Sequence, residues 1–322
     1  MSAPTTLPAG QTLDELREQF AVPGATFELG EGGFIRAAVS TDAAEAHVYL
    51  HGAHVTRFQP QGQADLLFMS GKSLFAPGKA IRGGVPLIFP WFGAKAGDPT
   101  APAHGLVRST GWAVQDVTAA GHGADRVVRL ALVLRSDAST KTRWPHDFEL
   151  LYTVTVGTAL QLDLEVRNPA SASEPFTFEE ALHTYLAVGD VRKVSIDGLA
   201  GRDYLDKPDG FRRKTQGPGA FGIDAETDRV YLATPDTVTV TDPVGPSTKS
   251  APAKPRVLTV SKENSAATVV WNPWIAKAKS MNDFGDDEWP LMLCVETANV
   301  DAHAVTLAPG QTHAMRAVIQ AG

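Results

Sequence analysis

The 322-residue sequence has a single cysteine, Cys294, so no intramolecular disulfide can form within it. It also has no apolar run close to the roughly 20 residues that a membrane-spanning helix needs. The N-terminal stretch MSAPTTLPAGQTLDELREQF has neither a basic start nor an apolar core, and we therefore predict no signal peptide. Together with one reduced cysteine, these absences lead us to expect a soluble protein of the cytoplasm.

The sequence is also poor in the basic residues that binding to a polyanion requires. Twenty-nine Lys and Arg against 36 Asp and Glu give a formal net charge of −7. Nucleic acid and anionic membranes are bound by basic surfaces, so we expect neither as a partner. A small anion needs only a local pair of arginines. The expected partner is therefore a small molecule, and the expected state is a monomer.

Helical periodicity is limited to the N-terminal part of the chain. Leu13, Leu16 and Phe20 recur at helical spacing within residues 12–22, and Thr12 with Glu15 fits an N-terminal capping box. We assign residues 1–24 to an N-terminal extension that contains this short helix.

Nearly everything after the extension reads as short strands separated by Gly, Pro, Asn and Asp. The run from RVVRLALVLRS to LQLDLEVRN predicts successive antiparallel strands of a meander. Many short strands without a βαβ rhythm indicate an all-β fold, a large sandwich of mostly antiparallel strands. We therefore predict one domain over residues 25–322, in which the Pro-rich stretch 241–255 is an exposed hairpin loop.

Nine histidines raise the possibility of a metal site, and three of them lie in HVYLHGAH. On one strand, His47 and His51 would share a face but lie about 13 Å apart, at roughly 3.3 Å per residue. His54 would fall on the other face. Because zinc ligands must converge on one point, this segment fits a solvated strand and turn better than a metal centre. We expect no metal and no other cofactor.

The segment APGKAIRGGVPLIFPWFGAKAGDPTAPAHGLVRSTGW, residues 76–112, is dense in Gly, Pro and aromatic residues. Arg82 precedes two glycines, which allow close backbone approach to a ligand. Arg108 follows His104 by four residues. Guanidinium groups bind oxyanions such as phosphate with paired hydrogen bonds, so both arginines are candidates for a phosphate site. The alternative is that they bind loop carbonyls or acidic neighbours.

Two further segments contain residues that could carry out proton transfer. FTFEEALHTYLAVGD, residues 176–190, reads as one alternating strand with His183 on the face opposite Phe178. Glu296 lies in the apolar stretch LMLCVETANV, where burial would raise its pKa and suit it to general acid–base work. The alternatives are a satisfied core histidine at 183 and a glutamate at 296 that pairs with a lysine or arginine for structure. Asp228 could accept hydrogen bonds from ligand hydroxyls or cap a turn.

Several stretches taken together resemble the hexose-6-phosphate mutarotases, the glucose-6-phosphate 1-epimerase branch of the aldose 1-epimerase family. The similarity extends over roughly residues 35–320, in chain order. It is carried by AIRGGVPLIFPWFG, HGLVRSTGW, EEALHTYL, ETDRVY and WNPWIAKAKSMNDFGDDEW with CVETANV. The resemblance implies a galactose-mutarotase-like β-supersandwich that interconverts sugar 6-phosphate anomers without a cofactor.

The resemblance also implies roles for individual residues. His183 and Glu296 match the catalytic pair, with Glu296 as base toward the C1 hydroxyl and His183 as acid toward the ring oxygen. The matches at substrate-binding positions are Arg82, His104, Arg108 and Asp228. The chain departs from the family in having Ala103 where glutamine often precedes the His-Gly pair, which removes one side-chain contact with the substrate.

Two other functions fit the sequence. One is an aldose 1-epimerase for unphosphorylated sugar, in which Arg82 and Arg108 are structural. The other is a non-catalytic carbohydrate-binding or sensing sandwich, because a fold alone does not fix a function. The presence of both His183 and Glu296 favours an enzyme.

Overall fold

Antiparallel β-structure dominates the protein in the computed structural model, which describes residues 10–247 and 253–322. The described chain has three α-helices, at Leu13–Gln19 (α1), Ala138–Lys141 (α2) and Trp274–Ser280 (α3). None of its helices is long and apolar enough to span a membrane.

The predicted N-terminal helix is present, and its start has the predicted capping box. The Thr12 hydroxyl accepts a hydrogen bond from the Glu15 amide, and the Glu15 carboxylate accepts one from the Thr12 amide. The helix ends at Gln19, three residues earlier than the predicted range. Leu16 is fully buried in the main hydrophobic core, so α1 packs into the body of the fold.

Twenty-two strands follow in the described residues. The first eight are β1 (Ala25–Leu29), β2 (Ile35–Ser40), β3 (Ala44–Tyr49), β4 (His54–Pro60), β5 (Leu87–Ile88), β6 (Ala113–Ala120), β7 (Val127–Arg135) and β8 (Glu149–Val156). The next seven are β9 (Leu160–Arg167), β10 (Phe176–Phe178), β11 (Glu180–Leu182), β12 (Tyr185–Ala187), β13 (Ser195–Asp197), β14 (Asp203–Asp206) and β15 (Arg212–Thr215). The last seven are β16 (Thr227–Leu232), β17 (Val238–Asp242), β18 (Arg256–Glu263), β19 (Ala267–Asn272), β20 (Met292–Asn299), β21 (Val305–Leu307) and β22 (Thr312–Ala321).

Two eight-stranded sheets form the sandwich. One has the order β13-β17-β18-β22-β9-β8-β7-β6, and it contains the predicted meander as β7 to β9, with β6 paired to β7 beyond it. The other has the order β15-β14-β16-β19-β20-β11-β5, with β12 also paired to β20. A four-stranded sheet, β1 to β4, and the pair β10–β21 complete the fold. Strand β20 is buried along its whole length, as expected for a strand with packed residues on both faces.

The segment 176–190 corrects the predicted single strand. It forms three short strands: β10 pairs with β21, whereas β11 and β12 pair with two different parts of β20. The backbone breaks after Phe178 and again at residues 183–184. His183 therefore lies in a gap between β11 and β12, where its amide donates to the Pro86 carbonyl at 3.0 Å.

The Pro-rich stretch 241–255 joins β17 to β18, which are antiparallel neighbours, so the connection has hairpin topology. Residues 248–252 of this predicted loop lie outside the described part of the chain.

Candidate active site

All six residues proposed from the sequence line one cavity of about 280 Å³. They come from distant parts of the chain. The loops around β5 supply Arg82, His104 and Arg108, the gap after β11 supplies His183, and strands β16 and β20 supply Asp228 and Glu296. The full lining is Arg82, Phe92, Ala103, His104, Arg108, His183, Lys207, Asp228, Trp271, Lys277, Met281 and Glu296.

His183 and Glu296 face each other at the floor of this cavity. Nε2 of His183 is 3.3 Å from Oε1 of Glu296, and the two side chains are 8% and 1% exposed. Neither His183 Nδ1 nor Glu296 Oε2 has a hydrogen-bond partner among the described residues. Unsatisfied buried polar atoms are costly, so both atoms are available to hydrogen-bond a group that enters the cavity.

Two aromatic side chains fix the orientation of the His183 imidazole. The ring of Tyr185 stacks on that of His183, with centroids 4.8 Å apart and an interplanar angle of 13°. Trp271 on β19 meets both rings edge-on. These contacts restrict rotation of the imidazole, and a fixed orientation is needed for proton transfer at a defined atom.

The two adjacent glutamates in FTFEEALHTYL have structural roles on either side of this site. Glu179 accepts hydrogen bonds from the amides of Phe92 and Asp301, both at 2.7 Å, and so fixes the loop that carries Phe92. Glu180 is fully buried and pairs with His313 at 2.9 Å. A buried carboxylate of this kind is expected to have a hydrogen-bonded partner.

Burial displaces the protonation equilibria of the His183–Glu296 pair in opposite directions. Loss of solvent lowers the pKa of His183 well below its usual value, and the positive charges of Arg108 and Arg82 lower it further. Loss of solvent raises the pKa of Glu296 well above its usual value. Both shifts favour an uncharged pair of a carboxylic acid and a neutral imidazole. The upward shift for Glu296 confirms the direction predicted from its apolar strand.

His104 lies beside His183 in a strained conformation. Its φ is +63°, which is unfavourable for a residue other than glycine. Its ring meets Phe92 edge-on at 4.8 Å and lies 5.8 Å from the ring of His183. Burial and the nearby charge of Arg108 lower the pKa of His104 well below its usual value, so it is present as a neutral imidazole. Strain of this kind is concentrated at functional sites.

Arg82 is held from two sides. Its guanidinium donates to Asp283 from Nε and Nη2, at 3.2 and 3.0 Å, and to the Tyr185 hydroxyl from Nη1 at 2.8 Å. Burial opposes its charge, but Tyr185 and Asp283 outweigh burial and keep its pKa above the usual value. These three hydrogen bonds use three of the five N–H groups of the guanidinium and leave two. Asp283 is thus the acidic neighbour of Arg82 that the sequence left as an alternative to a phosphate contact.

Arg108 differs from Arg82 because it has no ion pair with a carboxylate among the described residues. Its Nη2 donates to the Ala103 carbonyl at 2.8 Å. Burial and the like charge of Arg82 lower its pKa to about 10. A guanidinium without a counter-ion at the edge of a cavity is stabilised by an anion in that cavity. Ala103, the position of the missing family glutamine, thus contributes a backbone contact.

Two lysines in the cavity were missed by the sequence analysis. Lys207 forms an ion pair with Asp228 at 3.0 Å and lies 4.5 Å from the ring centroid of Phe92. Lys277 on α3 forms an ion pair with Glu226 at 3.3 Å. No motif marks either lysine, because the elements that carry them approach the arginine loops only in the folded chain. Asp228 lies within β16, one residue after its start.

The other candidates are structural. His51 and His54 are buried and contact the carbonyls of Lys79 and Gly83, both at 2.7 Å, which corrects the prediction that this segment is solvated. His54 thereby supports the loop that follows Arg82. Among the tryptophans, Trp271 reaches the cavity, whereas Trp274 and Trp289 pack on each other with ring centroids 4.3 Å apart.

The fold and this site define a class of β-sandwich proteins in which a buried imidazole and carboxylate meet in a polar, cationic cavity. Comparison with known proteins specifies the class further. The chain belongs to the aldose 1-epimerase family, whose profile matches residues 37–320. This range agrees with the span of the resemblance found in the sequence.

Named relatives and solved structures support the same family. The chain is 36% identical over 269 residues, 83% of its length and 78% of the relative's, to a "Putative glucose-6-phosphate 1-epimerase" of Cenchrus ciliaris. It is 36% identical over 254 residues, 79% of either chain, to a protein of the same name from Escherichia coli. The crystal structure of a "putative mutarotase" from Salmonella typhimurium superposes with a TM-score of 0.81 at 28% identity, covering 94% of both chains. The predicted mutarotase-like sandwich is thus confirmed.

Proposed function

We propose that the protein interconverts the α and β anomers of a hexose 6-phosphate, with glucose 6-phosphate as the preferred substrate. The observation that carries the proposal is the His183–Glu296 pair, 3.3 Å apart, in a cavity that also contains Arg108 without a carboxylate partner. The pair supplies the proton transfers, and the guanidinium supplies a phosphate contact. The names of the relatives support the same substrate.

The reaction needs two proton transfers in each direction. Glu296 as carboxylate removes the proton from the C1 hydroxyl while His183 as imidazolium gives a proton to the ring oxygen, so the C1–O5 bond breaks. The open-chain aldehyde rotates about C1–C2. Closure on the other carbonyl face then reverses both transfers. This chemistry requires no metal, nucleotide or other cofactor.

The proton count of the pair is the same in both stages. When the sugar is cyclic, Glu296 is a carboxylate and His183 an imidazolium. When the sugar is open, Glu296 is a carboxylic acid and His183 a neutral imidazole. In both stages the pair holds one exchangeable proton. Burial of the pair favours the second form. A bound cyclic sugar must therefore shift the pair toward the charged form, and its hydroxyl and ring oxygen supply the missing hydrogen-bond partners of the two groups.

The remaining groups bind the substrate. Arg108 is the main proposed phosphate contact, and Arg82 adds its two remaining N–H groups to the same cavity. Asp228, already oriented by Lys207, is placed to accept hydrogen bonds from sugar hydroxyls. His104 orients the sugar near the ring oxygen or shares the acid role. A hexose face could pack on Trp271, which lines the cavity.

The test is a side-by-side measurement of anomer exchange of glucose 6-phosphate and glucose by magnetisation-transfer NMR. We expect exchange above the uncatalysed rate for both and a higher kcat/KM for the phosphorylated sugar. Glu296→Gln is the matched control, because it keeps the side-chain shape but removes the base. Equal kcat/KM for the two sugars would replace the proposal by an aldose 1-epimerase for neutral sugar. Exchange that is no faster than in buffer would leave a sugar-binding protein.

A further inference from the structure

Three buried side chains that are suitable metal ligands converge beside the cavity. Only two of them line the cavity and take part in the proposed proton transfers. The third is Cys294, which lies on β20 opposite Tyr185 on one side and Trp271 on the other. Glu296 is two residues further along β20, so its side chain leaves the same face of the strand. Ligand atoms of His183, Cys294 and Glu296 all lie within 4.8 Å of one another.

The spacing of these atoms is close to that of a zinc site. Metal–ligand bonds of roughly 2.0–2.3 Å place tetrahedral ligand atoms about 3.3–3.8 Å apart. The 3.3 Å between His183 Nε2 and Glu296 Oε1 already meets this condition. Since all three atoms lie within 4.8 Å of one another, side-chain adjustments of at most about 1.5 Å would complete this geometry. Nδ1 of His183 and Oε2 of Glu296 have no hydrogen-bond partner among the described residues, so no second contact holds either side chain against such an adjustment.

The type of ligand sets the type of metal. A thiolate, an imidazole and a carboxylate suit Zn²⁺ and the related ions Cd²⁺ and Co²⁺, whereas Mg²⁺ and Ca²⁺ prefer sites made of oxygen. Three protein ligands leave the fourth position open toward the cavity. The positive charges of Arg82, Arg108 and Lys207 line the same cavity and repel a dication. These opposing effects favour reversible binding over a permanently held ion.

We propose that His183, Cys294 and Glu296 form an inhibitory site for zinc and similar thiophilic divalent cations. A metal bound to Nε2 of His183 and Oε1 of Glu296 displaces the proton that this pair exchanges with the sugar, so metal and cyclic substrate exclude each other. Binding releases two protons to solvent, one from the thiol and one from the His183–Glu296 pair, and apparent affinity therefore rises with pH. The inhibition rests on the proposed function, whereas metal binding itself does not.

Binding is tested by titrating the metal-free protein with Cd²⁺ and recording the thiolate-to-cadmium absorption in the ultraviolet. Cys294 is the single cysteine, so this signal reports one residue. We expect saturation at one equivalent for the wild-type protein. Cys294→Ser and Cys294→Ala should lack the signal and bind at least about tenfold more weakly in competition with a chelating dye. His47→Gln, in the other histidine-rich segment, should behave as wild type. No signal from folded wild-type protein would overturn the site.

Inhibition is tested separately by anomer exchange. Zn²⁺ should inhibit the wild-type enzyme competitively, EDTA should reverse the inhibition, and Mg²⁺ should have no effect. Cys294→Ser should keep its basal activity and require at least about tenfold more Zn²⁺ for half-inhibition. Equal inhibition of Cys294→Ser and wild type, or Cd²⁺ binding without loss of activity, would overturn the inhibitory role. If the wild-type protein shows no exchange, the proposed function fails, but the Cd²⁺ titration still decides whether the metal binds.

Discussion

Replacing Arg108 by alanine should separate phosphate recognition from sugar recognition. Arg108 lines the cavity, and its side chain makes one hydrogen bond within the described protein, to the Ala103 carbonyl. The phosphate brings about two negative charges into a protein with a net charge of −7, so the attraction must come from local groups. Arg82 forms an ion pair with Asp283, whereas Arg108 has no carboxylate partner among the described residues. Arg108→Ala therefore removes the arginine whose charge is not already neutralised by the protein.

The expected magnitude follows from the loss of a charge-assisted hydrogen bond, about 1.5–3 kcal/mol. This range corresponds to a roughly tenfold to hundredfold decrease in kcat/KM on glucose 6-phosphate, at about 1.4 kcal/mol per decade. Activity on glucose should change by a much smaller factor. Arg108→Lys should recover part of the loss, since an ammonium keeps the charge but cannot form the paired hydrogen bonds of a guanidinium.

The matched comparison is Arg82→Ala. Arg82 donates to Tyr185, whose ring stacks on His183, so its loss should lower activity on both sugars. The assay is anomer exchange by NMR at two ionic strengths, because added salt should weaken binding of the phosphorylated sugar more than that of glucose. Melting temperatures check that the loops remain folded. An equal decrease on both sugars in Arg108→Ala would refute the phosphate contact.

Four other outcomes are expected. His183→Asn should lower kcat by at least roughly 10²-fold without changing the melting temperature greatly, and near-normal exchange would reject its role. Because the pKa of His183 is lowered, kcat/KM should fall on the acid side only below pH 6.5, after correction for the titration of the substrate phosphate near pH 6. A decrease that begins at or above pH 6.5 would contradict the assignment of His183. Exhaustive chelation should leave exchange intact, whereas a loss restored by zinc would indicate a metal-dependent mechanism. Glu179→Gln should lower the urea-derived free energy of unfolding by about 1–3 kcal/mol relative to Glu174→Gln at an exposed position, since it weakens the bonds from Phe92 and Asp301.

The pattern of the sequence was sufficient for the fold class because it reflects local geometry. Alternation and turn residues predicted the meander of β7 to β9, and the Thr12–Glu15 capping box predicted the start of α1. The same reasoning was wrong for residues 176–190, where one alternating pattern forms three strands. Alternation reports which side chains are buried, but strand breaks depend on which partner each segment finds.

The site residues could be proposed from short motifs, but their interactions could not. His183 and Glu296 are 113 positions apart, and their 3.3 Å approach depends on the pairing of β11 and β12 with β20. The same dependence on folding explains why Lys207, Lys277 and Asp283 were missed. Each is an ordinary charged residue in sequence and becomes part of the site only through contacts across elements.

Residue types and their order were enough to predict the β-rich class, the family and the proposed acid and base. The electrostatics of the site depend on the folded arrangement of the chain. Whether an arginine is paired, as Arg82 is with Asp283, or lacks a carboxylate, as Arg108 does, depends on groups hundreds of residues away in some cases. The opposite pKa shifts of His183 and Glu296 likewise arise from burial and neighbouring charges, which exist only after the chain has folded.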